Sequence, residues 1–317
     1  MAKTSAYLTA LFCLLTLSTI TLGQTNPTIF RSDIDHFWIA YDSIRSIKEK
    51  DRQIELMQSL YIDKGTEGLK MFMELRKFDA ARLVDVIRKY PEFWTSIRPN
   101  TLRIQPGIIP VIGTYIQKFK ALYPDFRPAK IYFTITAMRA AGVTQDSVIL
   151  IGTELAMGDK NTDVSELPDK RMENFFKPRD SVDIIPVVIH EYVHVQQKRE
   201  GKILLGQSIN EGACEFITEL VLERPLVLSY LIYGRQHEKA LKEQFRKEML
   251  GENMSNWLYN GATTKTMGDL GYFMGYSICK SYYRHAKDKN QAIKDIIQLD
   301  YADQPAIMQF LQRSKYF

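Results

Sequence analysis

Residues 183–194 read Asp-Ile-Ile-Pro-Val-Val-Ile-His-Glu-Tyr-Val-His, and the rest of the chain is organised around this stretch. After Asp183 the run to Ile189 is apolar, and Pro186 falls where only the first turn of a helix tolerates a proline. The stretch therefore predicts a buried helix over residues 183–199. His190 and His194, four positions apart, share one face of that helix, one turn apart. Two imidazoles so placed can hold one metal ion. Glu191 then lies beside the ion rather than on it, where it can take a proton from an attacking water and return it to a leaving group. With only five histidines in the chain, a chance His-Glu-x-x-His is expected fewer than about 0.01 times. The alternative is two surface histidines with an incidental glutamate. The apolar surroundings argue against it, because buried imidazoles need partners.

A metal site of this kind needs a third protein ligand. The chain after His194 reads Val-Gln-Gln-Lys-Arg-Glu-Gly, with no further histidine. Gly201 and Gly206 bracket an expected turn, and Asn210-Glu211-Gly212-Ala213-Cys214-Glu215-Phe216 belongs to an expected second helix over 209–223. A helix, a short loop and a returning helix would bring Glu211 back to the metal. Glu215, one turn further on, is placed to hydrogen-bond a ligand histidine and fix its ring. Glu215 is also the alternative third ligand. Two histidines and one carboxylate suit Zn2+ best among divalent ions.

Working outward, the first half reads mostly as helix. Ile34, Phe37, Trp38, Tyr41 and Ile44 form an apolar face behind Ser32-Asp33, residues 71–90 read the same way, and 101–124 read as helix interrupted at Pro106-Gly107 and Pro110. Lys130 to Ile135 and Ser147 to Ile151 are β-branched and aromatic and read as strands, with Gly142 in the connection. Residues 158–181 read as a long polar loop. Further helices are expected over 236–249, 269–287 and 303–313. No repeat and no domain boundary is visible. The fold class is α+β, mostly α: a small β-sheet packed on the active-site helix, plus a helical remainder, in one domain over 24–317.

Composition excludes other classes. The formal charge of +5 is mild for 317 residues, and basic and acidic residues are interspersed, so no nucleic-acid partner is indicated. Met1-Ala2-Lys3, an uncharged run from Ala6 to Leu22, and Gly23 before a polar stretch have the layout of a signal peptide over residues 1–23. The protein is expected to be exported, to the periplasm or the extracellular space; the alternative is a membrane anchor left uncut. No other segment is apolar enough to span a bilayer. Cys214 and Cys279, the cysteines beyond residue 23, would either pair or act as two buried small hydrophobes.

The zinc pattern His190-Glu191-x-x-His194 with Asn210-Glu211-Gly212-x-x-Glu215 resembles the gluzincin branch of zinc metallopeptidases. There a glutamate on the following helix is the third ligand. The chain is also similar, over most of residues 24–317, to a largely uncharacterised family of predicted secreted zinc-dependent proteases related to the gliding-motility lipoprotein B proteins of Bacteroidetes. That similarity lies in Asp33-Ile34-Asp35-His36-Phe37-Trp38-x-Ala40-Tyr41-Asp42, in Ile149-Leu150-Ile151-Gly152-Thr153-Glu154, in the zinc pattern, and in Gly271-Tyr272-Phe273-Met274-Gly275-Tyr276. The resemblance implies a zincin-like fold. It also implies a tyrosine that donates to the developing oxyanion: Tyr276 by analogy, Tyr272 as second choice, with core packing as the plain alternative for both. By the same analogy Ser147 to Gly152, with Glu154 just beyond, would lie beside an extended substrate. His36, His237 and His285 are read as structural or surface residues.

The resulting expectation is a zinc-dependent hydrolase, and specifically a peptidase acting on peptides or unfolded proteins. Two other readings stand beside it: a zinc hydrolase of another amide or an ester, and a non-catalytic zinc-containing binding or scaffold protein of the cell envelope. Three ligands with an intact Glu191 leave an open fourth position, which favours catalysis over a structural clip. The sequence does not fix the oligomeric state.

Overall fold

The computed structural model describes residues 29–168, 170–179, 183–261 and 263–317. The expected signal peptide, residues 1–23, lies outside them. Strand β1 (Ile29–Phe30) leads into α1 (Ser32–Ile44), and the five apolar residues read from its spacing are all buried. Helix α2 (Lys50–Met57) continues as a π-helical turn (Gln58–Ile62). The single helix expected over 71–90 is in fact two, α3 (Glu67–Arg76) and α4 (Ala80–Lys89). Lys77 ends the first in a left-handed conformation (φ 54°), and the Asp79 side chain caps the second by accepting the Arg82 N–H at 2.8 Å. Helices α5 (Pro91–Thr101) and α6 (Ile108–Leu122) are separated around Pro106-Gly107 as expected, and Pro110 falls in the first turn of α6.

Both expected strands are present, as β2 (Lys130–Thr134) and β4 (Val148–Gly152), with β3 (Gly142–Gln145) between them in sequence. The sheet order is β1-β2-β4-β3. β2 runs parallel to β1 and β4, and β3 is the antiparallel edge. Gly142 was expected in a connection and instead begins the edge strand. Residues 142–145 (Gly-Val-Thr-Gln) carry too little apolar alternation to announce a strand. The two-residue turn from β3 to β4 uses Asp146 in the left-handed region (φ 53°), which Asp tolerates. Beyond their first residues β2 and β4 are buried at every position, so both faces of the inner sheet are covered.

Short helices α7 (Thr153–Ala156) and α8 (Arg171–Phe176) follow, the second inside the segment expected to be loop. The remaining helices are α9 (Ile185–Gln196), α10 (Leu204–Leu222), α11 (Ser229–Glu248), α12 (Leu270–His285), α13 (Lys289–Gln298) and α14 (Gln304–Ser314). Helix α9 packs on β3 and β4 and against α10, and α10 packs closely on α12. Two glycines permit the α10–α12 approach. A Cβ at Gly275 would stand 1.6 Å from the Ser208 carbonyl oxygen, and one at Gly212 would stand 2.0 Å from the Tyr276 nitrogen. The molecule is thus mostly helical with a small mixed four-stranded sheet. Among the described residues no helix is long and apolar enough to cross a membrane.

Candidate metal centre

Helix α9 ends at Gln196, three residues earlier than expected, because Gln197 turns extended (ψ 159°). The Gln197 side chain explains the turn. Its Nε2 donates to the Asn210 carbonyl (2.9 Å) and to Tyr301 (3.2 Å), and its Oε1 accepts from Asn210 Nδ2 (2.9 Å). Helix α10 begins at Leu204, earlier than the expected 209, so Gly206 lies inside a helix rather than in a turn. Its missing side chain makes room for the Tyr301 carbonyl, which a Cβ would meet at 2.3 Å. A short loop between two tightly joined helices then carries Glu211 back to α9.

Four residues expected at the site come together. His194 Nε2 lies 3.2 Å from Glu211 Oε2, and His190 Nε2 lies 3.5 Å from the same oxygen. The other ring nitrogens face away from this point: His190 Nδ1 is 3.2 Å from Glu215 Oε1, and His194 Nδ1 is 2.7 Å from Gln197 Oε1. An imidazole that donates from Nδ1 keeps its Nε2 lone pair for a metal. Ligands 2.0–2.1 Å from a tetrahedral zinc ion stand about 3.3–3.4 Å apart, which matches the separations of Glu211 Oε2 from the two Nε2 atoms. The donor chemistry, two imidazole nitrogens and a carboxylate oxygen, is of the kind zinc takes. Glu215 is the supporting residue rather than the ligand, since its Oε1 is taken by His190 Nδ1 and the Tyr230 hydroxyl (2.5 Å).

The electrostatics agree with a cation site. Burial alone would lower the His190 pKa, but the charge of Glu215 and hydrogen bonds to Glu211 and Glu215 hold it well above the ordinary imidazole value. His194 is raised in the same way, with burial overridden by Glu211. Burial would raise Glu211, yet His194 and His190 hold it well below the usual carboxylate range.

Sequence reasoning missed Cys214 as a neighbour: its sulfur stands 3.4 Å from His194 Nδ1, and ligand atoms of His190, His194 and Cys214 lie within 4.8 Å of one another. This grouping is the weaker one. The thiol faces the nitrogen that Gln197 already holds, it contacts the Asn210 carbonyl at 3.5 Å, and burial followed by nearby carboxylates pushes its pKa well up, so it stays protonated. Cys214 and Cys279 are both buried and free, so the disulfide alternative is not realised.

Glu191 projects from α9, beside His190, towards β3. The Thr144 hydroxyl lies 2.9 Å from both Glu191 Oε2 and its backbone oxygen, and a Cβ at Gly142 would stand 2.3 Å from Glu191 Oε1. The strand beside this carboxylate is therefore the edge strand β3. The expectation of Ser147 to Gly152 is corrected, because β4 is paired on both sides and has no free edge. Glu154 likewise serves the fold. Its Oε1 accepts from Thr136 N (2.8 Å), Thr136 Oγ1 (2.9 Å) and Met138 N (2.9 Å), pinning a connection in which Ala137 and Met138 are both left-handed (φ 52° and 62°).

The two tyrosines of α12 part company. Tyr276 does not line the cavity over the site. Its hydroxyl donates to Glu219 (2.7 Å) and accepts from Lys280 (2.6 Å), so its choice as oxyanion donor is corrected. Tyr272 does line it, with its ring stacked on His190 at 6.3 Å. Burial and then the Glu211 charge push its pKa well up, leaving a neutral donor whose hydroxyl takes no protein hydrogen bond among the described residues. Tyr259, which sequence reasoning did not single out, donates its hydroxyl to Glu211 Oε1 at 2.7 Å from a left-handed backbone (φ 56°). No helical pattern marked it; an aromatic beside a glycine-rich loop was the only sign. His237 and His285 hold carbonyls of their own helices, Tyr233 and Ser281 (2.9 Å each), and His36 lies away from the site.

A cavity of about 420 Å³ opens over His190, Glu191 and Tyr272. Residues 107–316, about two thirds of the chain, match the family described as gliding motility protein GldB, and the chain belongs to that family. Family membership supports an exported, envelope-associated protein. No curated protein matches the chain, and no solved structure does.

Proposed function

We propose that the protein is a zinc-dependent peptidase of zincin-like fold, acting outside the cytoplasm on peptides or unfolded proteins. The observation that carries this reading is the convergence of His190 Nε2, His194 Nε2 and Glu211 Oε2, with both Nδ1 atoms held from behind by Glu215 and Gln197. Zinc at these three ligands would supply a Lewis acid for the scissile carbonyl and lower the pKa of an attacking water. Glu191 receives the proton of that water and passes it to the leaving amine, held in register by Thr144. Tyr272 donates to the oxygen on which negative charge develops. The free edge of β3 offers backbone groups to an extended peptide beside Glu191. The family's name, gliding motility protein, accords with a role at the cell envelope.

The test is metal content by elemental analysis of wild type and Glu191→Gln, with hydrolysis of a mixed peptide library by both. One zinc per chain in each, with cleavage only by wild type and lost to a chelator, is the expected result. Zinc in both with no cleavage by either would favour the scaffold reading or a non-peptide substrate. Absence of zinc after reconstitution would overturn the metal site.

A further inference from the structure

The cavity over His190 and Glu191 is lined by both acidic and basic groups. His190, Glu191 and Glu215 line it, and so do Arg76 at the end of α3, Arg139 in the β2–β3 connection, and Arg179 beyond α8. Arg171 also lines it, beside Asp269. Three segments distant in sequence each deliver an arginine to the lining of this cavity. Arg76 and Arg139 are exposed, and among the described residues neither forms an ion pair with a carboxylate; Arg139 donates instead to the Lys77 carbonyl at 3.1 Å.

Arg179 differs from these two. Its guanidinium lies 4.0 Å from the centre of the Phe175 ring, and Nη1 donates to the carbonyls of Ala156 (3.0 Å) and Gly158 (3.5 Å). No carboxylate among the described residues pairs with it. Burial pushes its pKa down to about 10, against the opposite pull of Tyr230, Asp183 and Glu215. A largely buried cation whose Nε and Nη2 make no hydrogen bond among the described residues is costly to keep unless an anion arrives to meet it. The planar fork of Arg matches a carboxylate through two parallel hydrogen bonds, and the apolar Leu155, Met172 and Phe175 line the same cavity, Phe175 against the guanidinium itself.

We propose that these arginines form an anion subsite of the cleft, selecting peptides that carry a carboxylate, either an acidic side chain or the C-terminal α-carboxylate. The carboxylate seats on Arg179, and Arg139 and Arg76 draw it in. The inference rests on the peptidase reading for the identity of the ligand as a peptide, since carboxylates are the anions that unmodified peptides bear.

The test is direct binding, read by fluorescence anisotropy on zinc-loaded Glu191→Gln protein, which cannot turn the probe over. The probes are a fluorescein-labelled nonapeptide with three central glutamates and its glutamine counterpart, each with a free or an amidated C-terminus. Preference for the acidic or free-carboxylate probe by about tenfold, shrinking with added salt, is expected. Arg179→Gln in the same background removes the preference and leaves affinity for the neutral amidated probe unchanged. Comparing side-chain and C-terminal arms identifies which carboxylate is read. Equal binding of all four probes, or a preference that survives Arg179→Gln in a protein of unaltered melting temperature, would overturn the subsite. If Arg179→Gln does not fold, the Arg76→Gln/Arg139→Gln double variant, altered only at exposed positions, decides: a preference reduced by about threefold supports the subsite, and an unchanged one overturns it. Acidic preference without any cleavage by wild type would remove the peptidase reading while leaving the subsite. Cleavage without charge preference would do the reverse.

Discussion

Gly142 lies with its bare Cα against the carboxylate of Glu191: a Cβ there would fall 2.3 Å from Oε1, 2.7 Å from Cδ and 2.8 Å from Cγ. The glycine is needed for this approach rather than for its backbone angle, since no described glycine has a positive φ. The far end of a glutamate can swing aside at little cost to the fold, but not while staying in register for proton transfer. Gly142→Ala is therefore expected to keep its zinc and its melting temperature while losing about 100-fold in kcat/KM. Steady-state kinetics beside elemental analysis checks this, and parallel loss of metal would show that the effect is not on Glu191.

Tyr272 and Tyr276 offer a paired comparison. Tyr272→Phe removes a hydroxyl that faces the cavity and is expected to lower kcat by about 100-fold with KM little changed. Tyr276→Phe breaks only the contacts with Glu219 and Lys280 and should leave kcat within about twofold. The opposite ranking would restore Tyr276 as the donor.

Glu215 holds His190 by its Nδ1. Glu215→Ala leaves the three ligands in place but frees that ring to turn. Zinc affinity, measured by competition with a chelating dye, is expected to fall by about 10- to 100-fold. An unchanged affinity would mean that His190 is oriented by packing alone.

The metal-free protein should show a characteristic dependence on pH. His190 and His194 are raised above the ordinary 6.5, so their contribution to stability is complete below about that pH and is lost as pH rises through their folded values. Glu211 is depressed below the ordinary 4.5, so its contribution is present above that value and is lost as pH falls. The cluster is therefore strongest between these two limits, and the melting temperature of stripped protein is expected to decline from there towards alkaline pH. Zinc must displace the protons, so the gain in melting temperature on adding zinc should grow from pH 6 to pH 8. Thermal scans with and without zinc across that range would reveal a flat gain if the histidines were not the ligands.

Gly275 meets backbone rather than a movable side chain, the Ser208 carbonyl at 1.6 Å from a built Cβ. Gly275→Ala must push α12 away from α10 and is expected to destabilise the protein by about 3 kcal/mol or more, read from denaturant melts. A near-neutral effect would mean that the two helices are free to separate.

What the sequence by itself determined was whatever rests on local periodicity. The 3.6-residue spacing of Ile34, Phe37, Trp38, Tyr41 and Ile44 made α1, the β-branched runs made β2 and β4, and His190 and His194 shared a face because both sit on α9. Helix α13, not among the expected helices, rests on the same kind of local signal, with Asp288 capping it and Ala292, Ile293, Ile296 and Ile297 at helical spacing. The tertiary structure alone decided which distant groups meet those local elements. Gln197 ends α9 because Asn210 and Tyr301 hold its side chain, and the same amide orients His194. The edge of the sheet fell to β3 because pairing, not composition, decides which strand is outermost. Tyr272 rather than Tyr276 faces the cavity because close contact of α12 with α10 at Gly212 and Gly275 fixes the rotation of the helix. Tyr259 and Arg179 reach the cleft from loops, where no period links residue type to direction.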